Sequence, residues 1–319
     1  MLLSRIITMV AAIGLVASTA GPASAAFKIV TSFPQDASIA RAIGGQHVEV
    51  VSLTTGVQNP HAVDPKPSFA IYLNKADLLI VNGQDMEMAW LPIALSSSRN
   101  PKILEGTDGY LDPSQGITFI PYSQDELQQT PFFSLNLIVG DSTKTGNHHY
   151  WLDPENGLLV AKNIHDKLVA MDPEHAEAYT ANYEGFVSRL KSKIVEWDRL
   201  MASYKGVKIV SYHRDWIYLT KRHGLDLFAY IEPRETIPPS AGEVAVLVKK
   251  MRDKRIPVVL VSPWQPQKIS KEIAQQTGAR FVSLPSTVDE RFGAKDYIGL
   301  FDVIYGELTK ALADANTGR

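Results

Sequence analysis

With 319 residues, 45% of them hydrophobic and 21% charged, the chain has the composition of a globular protein with material for one or two sizeable cores, which excludes a disordered or fibrous chain. A formal net charge of −2 offers nucleic acid no electrostatic attraction. The absence of cysteine leaves no disulfide scaffold, no thiolate metal site and no N-terminal cysteine to carry a lipid.

The N-terminus predicts export. Arg5 supplies a positive charge, Ile6 to Val16 a short apolar run, and Ala23-Ser24-Ala25 a small-residue cleavage site, so residues 1–25 read as a signal peptide cleaved near Ala25. The apolar run is too short to span a bilayer, and no later segment approaches about 20 apolar residues. A periplasmic protein is the simplest outcome. Cleavage removes one of the 32 Lys and Arg and none of the 34 Asp and Glu, so the remainder carries about three negative charges.

Next come a strand over Phe27 to Thr31, a short helix over Ala37 to Ile43 closed by Gly44-Gly45, and a strand over Val48 to Leu53. After a loop, helix is expected over Pro67 to Lys75, a buried strand over Asp77 to Val81, a helix over Met86 to Leu95 and a strand over Lys102 to Leu104. Strands separated by helices imply a parallel sheet covered on both faces. From Asp112 to His148 the pattern fails among Pro121, Pro131, Gly140 and Gly146, which marks a functional or mobile loop. Leu152 to Met171 reads as helical.

Between Pro173 and Tyr204, the residues Ala176, Tyr179, Tyr183, Phe186, Leu190, Ile194, Trp197 and Met201 recur at steps of three or four, the signature of one helical face. Asp172 is a candidate N-cap, Pro173 suits the first helical position, and Gly206 lies just beyond the end. At about 1.5 Å per residue this helix spans roughly 45 Å, long enough to be a spine shared by two lobes. The alternation then resumes: strand Val207 to Ser211, helix Asp215 to Arg222, strand Leu227 to Ile231, helix Gly242 to Arg252 and strand Pro257 to Val261. Helix Lys268 to Thr277, strand Arg280 to Leu284 and a terminal helix from Tyr297 to about Ala313 complete it. The expected fold class is therefore α/β, with two lobes of parallel sheet and helices joined by one long rigid helix. The boundaries are an N-terminal lobe over 26–171, the linking helix over 172–205 and a C-terminal lobe over 206–319.

The eight histidines divide by position. His165 and His175 fall on expected helices, His47 borders a strand, and His223 closes a helix where a positive charge suits the dipole. His61 follows the turn Gly56-Val57-Gln58-Asn59-Pro60 after a strand, His213 follows the strand Val207 to Ser211, and His149 ends the long loop. Ligands of open α/β sheets gather beyond the carboxyl ends of strands. Three imidazoles in one crevice form a borderline-soft nitrogen site that suits zinc better than calcium or magnesium. The three come from distant segments without a short motif, so spacing alone is a weak signal.

Their contexts say more. Gly56-x-x-x-Pro60-His61 with Asp64-Pro65-Lys66-Pro67-Ser68, the run Ala76-Asp77-Leu78-Leu79-Ile80-Val81-Asn82-Gly83, then His149-Tyr150-Trp151-Leu152-Asp153-Pro154, and Tyr212-His213 followed by Trp216 and Tyr218-Leu219, resemble in content and order the metal-specific solute-binding proteins of ABC importers for zinc and manganese. The resemblance covers nearly the whole chain after residue 25. It implies a non-enzymatic receptor, with metal held between two lobes by His61, His149 and His213. Its partners are then the metal ion, the membrane permease of an ABC importer and, as a further candidate, a periplasmic metal chaperone. A monomer is expected, with Zn2+ as the transported ligand and Mn2+ less favoured. The ligand of the second motif carries over to His149, leaving His148 a bystander or an auxiliary metal catcher.

One carry-over fails: family members commonly add a carboxylate from the loop after the last strand, and here Leu284-Pro285-Ser286-Thr287-Val288-Asp289-Glu290 places Ser286 at that position. The fourth position is left to water, a loosely held Asp289, or Glu232 or Glu235. The histidine-rich stretch that many zinc importers carry in the first-lobe loop is also missing, since Asp112 to Gly146 contains no histidine. Three histidines with an open position are also the layout of catalytic zinc, so an exported zinc hydrolase using Glu232 or Asp289 as general base is the alternative. A receptor for haem or an iron chelate needs a larger aromatic or basic pocket; Trp151, Trp216 and Trp264 are expected to pack the core instead.

Overall fold

The computed structural model describes residues 26–122, 146–234 and 237–317. The signal segment, most of the long loop and Glu235 lie outside these residues. In the first lobe, β1 (Phe27–Thr31), β2 (Val48–Ser52), β3 (Leu78–Ile80) and β4 (Tyr110–Leu111) form a parallel four-stranded sheet in the order β2-β1-β3-β4. It is accompanied by α1 (Pro34–Gly44), α2 (Pro67–Lys75) and α3 (Leu91–Ser98), and α4 (Pro154–Met171) closes the lobe. In the second lobe β5 (Lys208–Ser211), β6 (Asp226–Tyr230), β7 (Val258–Val261) and β8 (Arg280–Ser283) repeat the arrangement, in the order β6-β5-β7-β8 and again parallel. Helices α6 (Ile217–His223), α7 (Ala241–Lys254), α8 (Gln267–Thr277) and α9 (Tyr297–Thr317) complete it.

The two faces of β7 show how strand periodicity sorts the core. Val258 and Leu260 join the large core shared with the spine and α9, while Val259 and Val261 join a smaller core with Leu247, Val248 and Met251 of α7 and Ile273 of α8. All four are fully buried, as expected for a strand covered on both faces.

The spine is a single 3-10 turn, Pro173–His175, running into α5 (Ala176–Met201) and ending in a second turn, Ala202–Tyr204. Its buried stripe is Tyr179, Phe186, Leu190, Ile194, Trp197 and Met201. α5 packs on α1 and α4 of the first lobe and on α9 of the second. Asn182 donates to the Ile43 carbonyl at 3.0 Å, and Trp197 lies 5.4 Å from both Phe301 and Tyr305. Arg222 adds a lock, reaching Asp153 at the head of α4 at 3.1 Å and Asp198 on the spine at 2.7 Å.

Two expectations are corrected. Lys102–Leu104 is not a strand: Pro101 lacks an N–H, Asn100 accepts from the Lys102 N–H at 3.1 Å, and Pro101–Ile103 becomes a 3-10 turn whose Ile103 fills the core. The fourth strand forms later, at Tyr110–Leu111. The helix expected over Met86 to Leu95 is displaced as well. Gly83, Gln84 and Asp85 all take positive φ, turns occupy the chain to Trp90, and the helix starts only at Leu91, where Pro92 suits its first turn.

Candidate metal centre

Loops beyond the carboxyl ends of the strands of both sheets meet at one place, and the three singled-out histidines lie there. His61 is set by a side-chain turn after β2, with Asn59 Oδ1 accepting from the His61 N–H at 3.0 Å. The Pro60 carbonyl accepts from the Trp90 indole at 3.2 Å. His149 is set in the same way: Asn147 Oδ1 takes the His149 N–H at 2.9 Å and pairs with Nδ1 at 3.0 Å. Because a carbonyl oxygen only accepts, Nδ1 carries the proton and the lone pair lies on Nε2. Asn147 also donates to the Arg214 carbonyl at 3.0 Å and accepts from the Tyr218 hydroxyl at 2.5 Å, so the second motif is tied directly to the third. His213 follows β5, and its Nδ1 pairs with Glu232 Oε2 at 2.6 Å.

The three rings make a near-equilateral triangle. Centroids are 5.3 Å apart for His61 and His149, 5.2 Å for His61 and His213, and 5.2 Å for His149 and His213. One ligand nitrogen from each lies within 4.8 Å of the others. Exposure is 6%, 1% and 3%, so the nitrogens converge in a nearly dry space. His149 Nε2 is buried without a hydrogen bond among the described residues, an arrangement that normally costs stability unless a ligand uses the atom. Burial, and then the proximity of His148, His213 and His61, holds the His149 imidazole well below the usual protonation range. It is therefore neutral and able to ligate at neutral pH.

Glu232 has a different part from the ones expected. Its carboxylate occupies the Nδ1 side of His213, opposite the nitrogen left for a ligand, as in carboxylate–histidine–metal arrangements. Glu232→Gln is expected to weaken divalent-metal binding ten- to a hundredfold in a competition titration, the usual effect of losing such a partner. A loss matching that of a ligand histidine would instead put Glu232 on the ion. Asp289 is engaged elsewhere: both oxygens hold Arg291, and Oδ2 accepts from the Gly56 N–H at 3.1 Å. Gly56 is required there, since a Cβ would stand 2.7 Å from the Asp289 Cβ. Ser286 lies under the aromatic wall, its carbonyl accepting from the Trp151 indole at 2.7 Å and its hydroxyl from Trp264 at 3.3 Å. Trp151 and Trp216 are buried as expected, but Trp264 is half-buried beside the rings, 5.8 Å from His213 and 6.3 Å from His61.

The first-lobe support was not anticipated. Asn82 donates to the His148 carbonyl at 3.1 Å and accepts from the Tyr150 hydroxyl at 2.7 Å, bracketing His149. Beneath it, Glu87 accepts from the Asn82 N–H at 2.6 Å and from the Ser32 hydroxyl, and burial raises its carboxyl to about 7. The available signal was the Asn-x-His spacing of Asn59-Pro60-His61 and Asn147-His148-His149, which is turn chemistry on both ligands.

Four other histidines, His47, His165, His175 and His223, pack against other partners. His47 and His175 stack on each other at 4.0 Å, and His165 stacks on Tyr183 at 4.5 Å. His223 corrects an expectation: it is buried, pairs with the Tyr305 hydroxyl at 2.8 Å, and burial beside Arg222 lowers its pKa to about 4, so it brings no charge to the helix end at neutral pH. An unfolded chain takes that proton near about 6.5. Between those values the unfolded state binds more protons at this group, so its contribution to stability falls as pH falls, and His149 acts in the same direction. Glu87 acts oppositely, since below about 7 its carboxyl is protonated in the folded state while an unfolded one is still ionised. Between pH 7.5 and 5 the melting temperature of metal-free His223→Gln is therefore expected to fall less, or rise more, than that of the parent, and parallel profiles for the two would contradict the burial argument.

A model of the family described as zinc-uptake complex component A, periplasmic (ZnuA), matches residues 29–311. The chain is similar to the iron-binding protein YfeA of Yersinia pestis, 25% identical over 300 residues that cover 89% of this chain and 86% of that one. It is also similar to the manganese ABC transporter substrate-binding lipoprotein PsaA of Streptococcus anginosus, 26% identical over 280 residues and 85% of each chain. A crystal structure of ZnuA shares the fold, with a TM-score of 0.73 at 22% identity, covering 90% of this chain and 99% of that one.

Proposed function

The chain belongs to the zinc-uptake complex component A family of periplasmic proteins, and from that premise we propose that it is an exported solute-binding protein that captures zinc at His61, His149 and His213 and passes it to the membrane permease of an ABC importer. The observation that carries this reading is the triangle of buried, converging imidazole nitrogens between two lobes. In this reading residues 1–25 are the export signal, 26–171 and 206–319 are the two walls of the site, and 172–205 fixes their spacing. The protein works as a monomer, and a periplasmic metal chaperone is a candidate donor.

The choice of zinc rests on the donor set, because similar proteins are named for iron and manganese as well. Neutral imidazole nitrogens suit zinc, whereas manganese binding leans on carboxylate oxygen. Here two of the carboxylates considered for the fourth position are committed, Glu232 to His213 and Asp289 to Arg291 and Gly56. The same commitments weaken the hydrolase alternative, which needs one of them as a general base.

The deciding experiment is metal analysis of the protein purified from a periplasmic extract without added metal or a histidine tag. One zinc per chain is expected. Manganese or iron in its place overturns the choice of cargo, and a metal-free protein that also fails to bind zinc in a competition titration overturns the reading itself.

The lobes are also cross-tied, by Thr287 to Gln35 at 2.6 Å, Tyr297 to Ser38 at 2.9 Å and Trp151 to Ser286 at 2.7 Å. With the unbroken spine, these bonds leave no hinge for wide closure. Small-angle scattering is expected to give the same radius of gyration with and without zinc. A clear compaction on metal addition would remove the rigid-spine argument.

A further inference from the structure

A fourth imidazole stands against the triangle. The ring of His148 lies 4.6 Å from that of His149 and 4.9 Å from that of His61, closer than any two of the three lie to each other. Consecutive side chains usually point apart along an extended chain, yet these two rings lie on one side, 4.6 Å apart. The backbone is pinned there, because the His148 carbonyl accepts from Asn82 and the next peptide N–H is held by Asn147. The ring is half-buried, with Tyr122 at 6.5 Å, whereas the three others are buried.

We infer that His148 is the fourth metal ligand, closing the site as four imidazoles from the open side. This rests on the metal-binding reading above and goes beyond it by filling the coordination position that Ser286 does not fill. Ser286 is committed to two tryptophans and has no anionic oxygen, and Asp289 is held by Arg291 and Gly56. His148 is not among the residues whose nitrogens already converge within 4.8 Å, so ligation requires its ring to turn about its own side-chain bonds. Its partial exposure leaves room for that turn, and the backbone on either side is already fixed. Zinc accepts four tetrahedral nitrogen donors readily. A set of four neutral nitrogens selects zinc, copper(II) or nickel(II) over manganese and magnesium, since no first-sphere oxygen anion is supplied. His148 is thereby a specificity-determining residue as well as a ligand.

The test uses X-ray absorption on the zinc-loaded full-length mature protein and competition titrations with zinc and manganese. The parent is expected to show four imidazole nitrogens. His148→Ala is expected to show three nitrogens and one oxygen from water, to bind zinc about ten- to a hundredfold more weakly, and to recover affinity when free imidazole is added. His148→Asp is expected to gain affinity for manganese relative to zinc. A parent site with three nitrogens and one oxygen overturns the inference without needing any variant. So does a His148→Ala protein that binds zinc like the parent. A parent that binds no zinc is the separate outcome that overturns the metal-binding reading.

Discussion

His213→Ala is expected to weaken zinc binding by more than about a hundredfold, beyond what losing an outer-shell partner usually costs. His213 is the one member of the triangle contributed by the second lobe, and it is 3% exposed. Its removal also takes away the ring that Glu232, a carboxylate 7% exposed, faces across 2.6 Å. Losing a buried hydrogen-bond partner is costly, so this variant is expected to lose stability as well as affinity. His149→Ala and His61→Ala separate the two effects, because neither removes the ring facing Glu232, yet each removes one nitrogen of the same site. His165→Ala and His175→Ala are the controls and should bind like the parent. Competition titration of the five proteins, each checked for melting temperature, decides the matter. His213→Ala binding zinc at parental affinity would end the proposed site.

The second large effect concerns stability. Trp197→Ala is expected to destabilise the protein by about 3–5 kcal/mol, the range for removing a large aromatic from a core. Trp197 is 1% exposed, packs at 5.4 Å from both Phe301 and Tyr305, and donates its indole N–H to Asp302 at 3.0 Å. Asp302 keeps Lys193 at 3.0 Å and is partly solvated, so most of the loss is the cavity between spine and terminal helix. Chemical unfolding is the measurement. A loss below about 1 kcal/mol would mean that the spine is not held to the second lobe through this contact. Zinc affinity of the variant at low temperature should stay close to the parent, since Trp197 packs on the terminal helix and not on the histidine triangle.

The elements that were legible in the sequence are those with a single local cause. The strand Phe27–Thr31 and the helix Pro67–Lys75 form where patterning, β-branched content and proline placement agree, and the spine follows from its apolar stripe. Lys102–Leu104 failed because Pro101 and the Asn100 cap compete with extended pairing, a contest that periodicity does not register. For the site, position after a strand marked His61 and His213 and the end of the long loop marked His149, and the structure brings the three together. Positions do not state who holds whom. That Glu232 backs His213 and that burial discharges His223 depend on a neighbour distant in the chain or on desolvation, and the hold of Arg291 on Asp289, two residues away, depends on the local turn of the chain. The Asn-x-His turns were present in plain sequence, but their meaning appears only once both are seen facing one point.

The locked geometry of the two lobes has a kinetic consequence. A receptor that opens by a hinge can discard its cargo simply by dropping every contact at once. Here the spine, the Arg222 bridge and the cross-lobe bonds keep the histidine-bearing loops at a fixed separation. An ion then leaves one bond at a time, with spontaneous dissociation correspondingly slow and the affinity residing in a long residence time. Unloading at the membrane becomes a matter of ligand exchange: an acceptor must offer donors of its own to an ion still partly held. His148, half-buried beside the cluster, would on the four-imidazole proposal be the first bond such an acceptor meets.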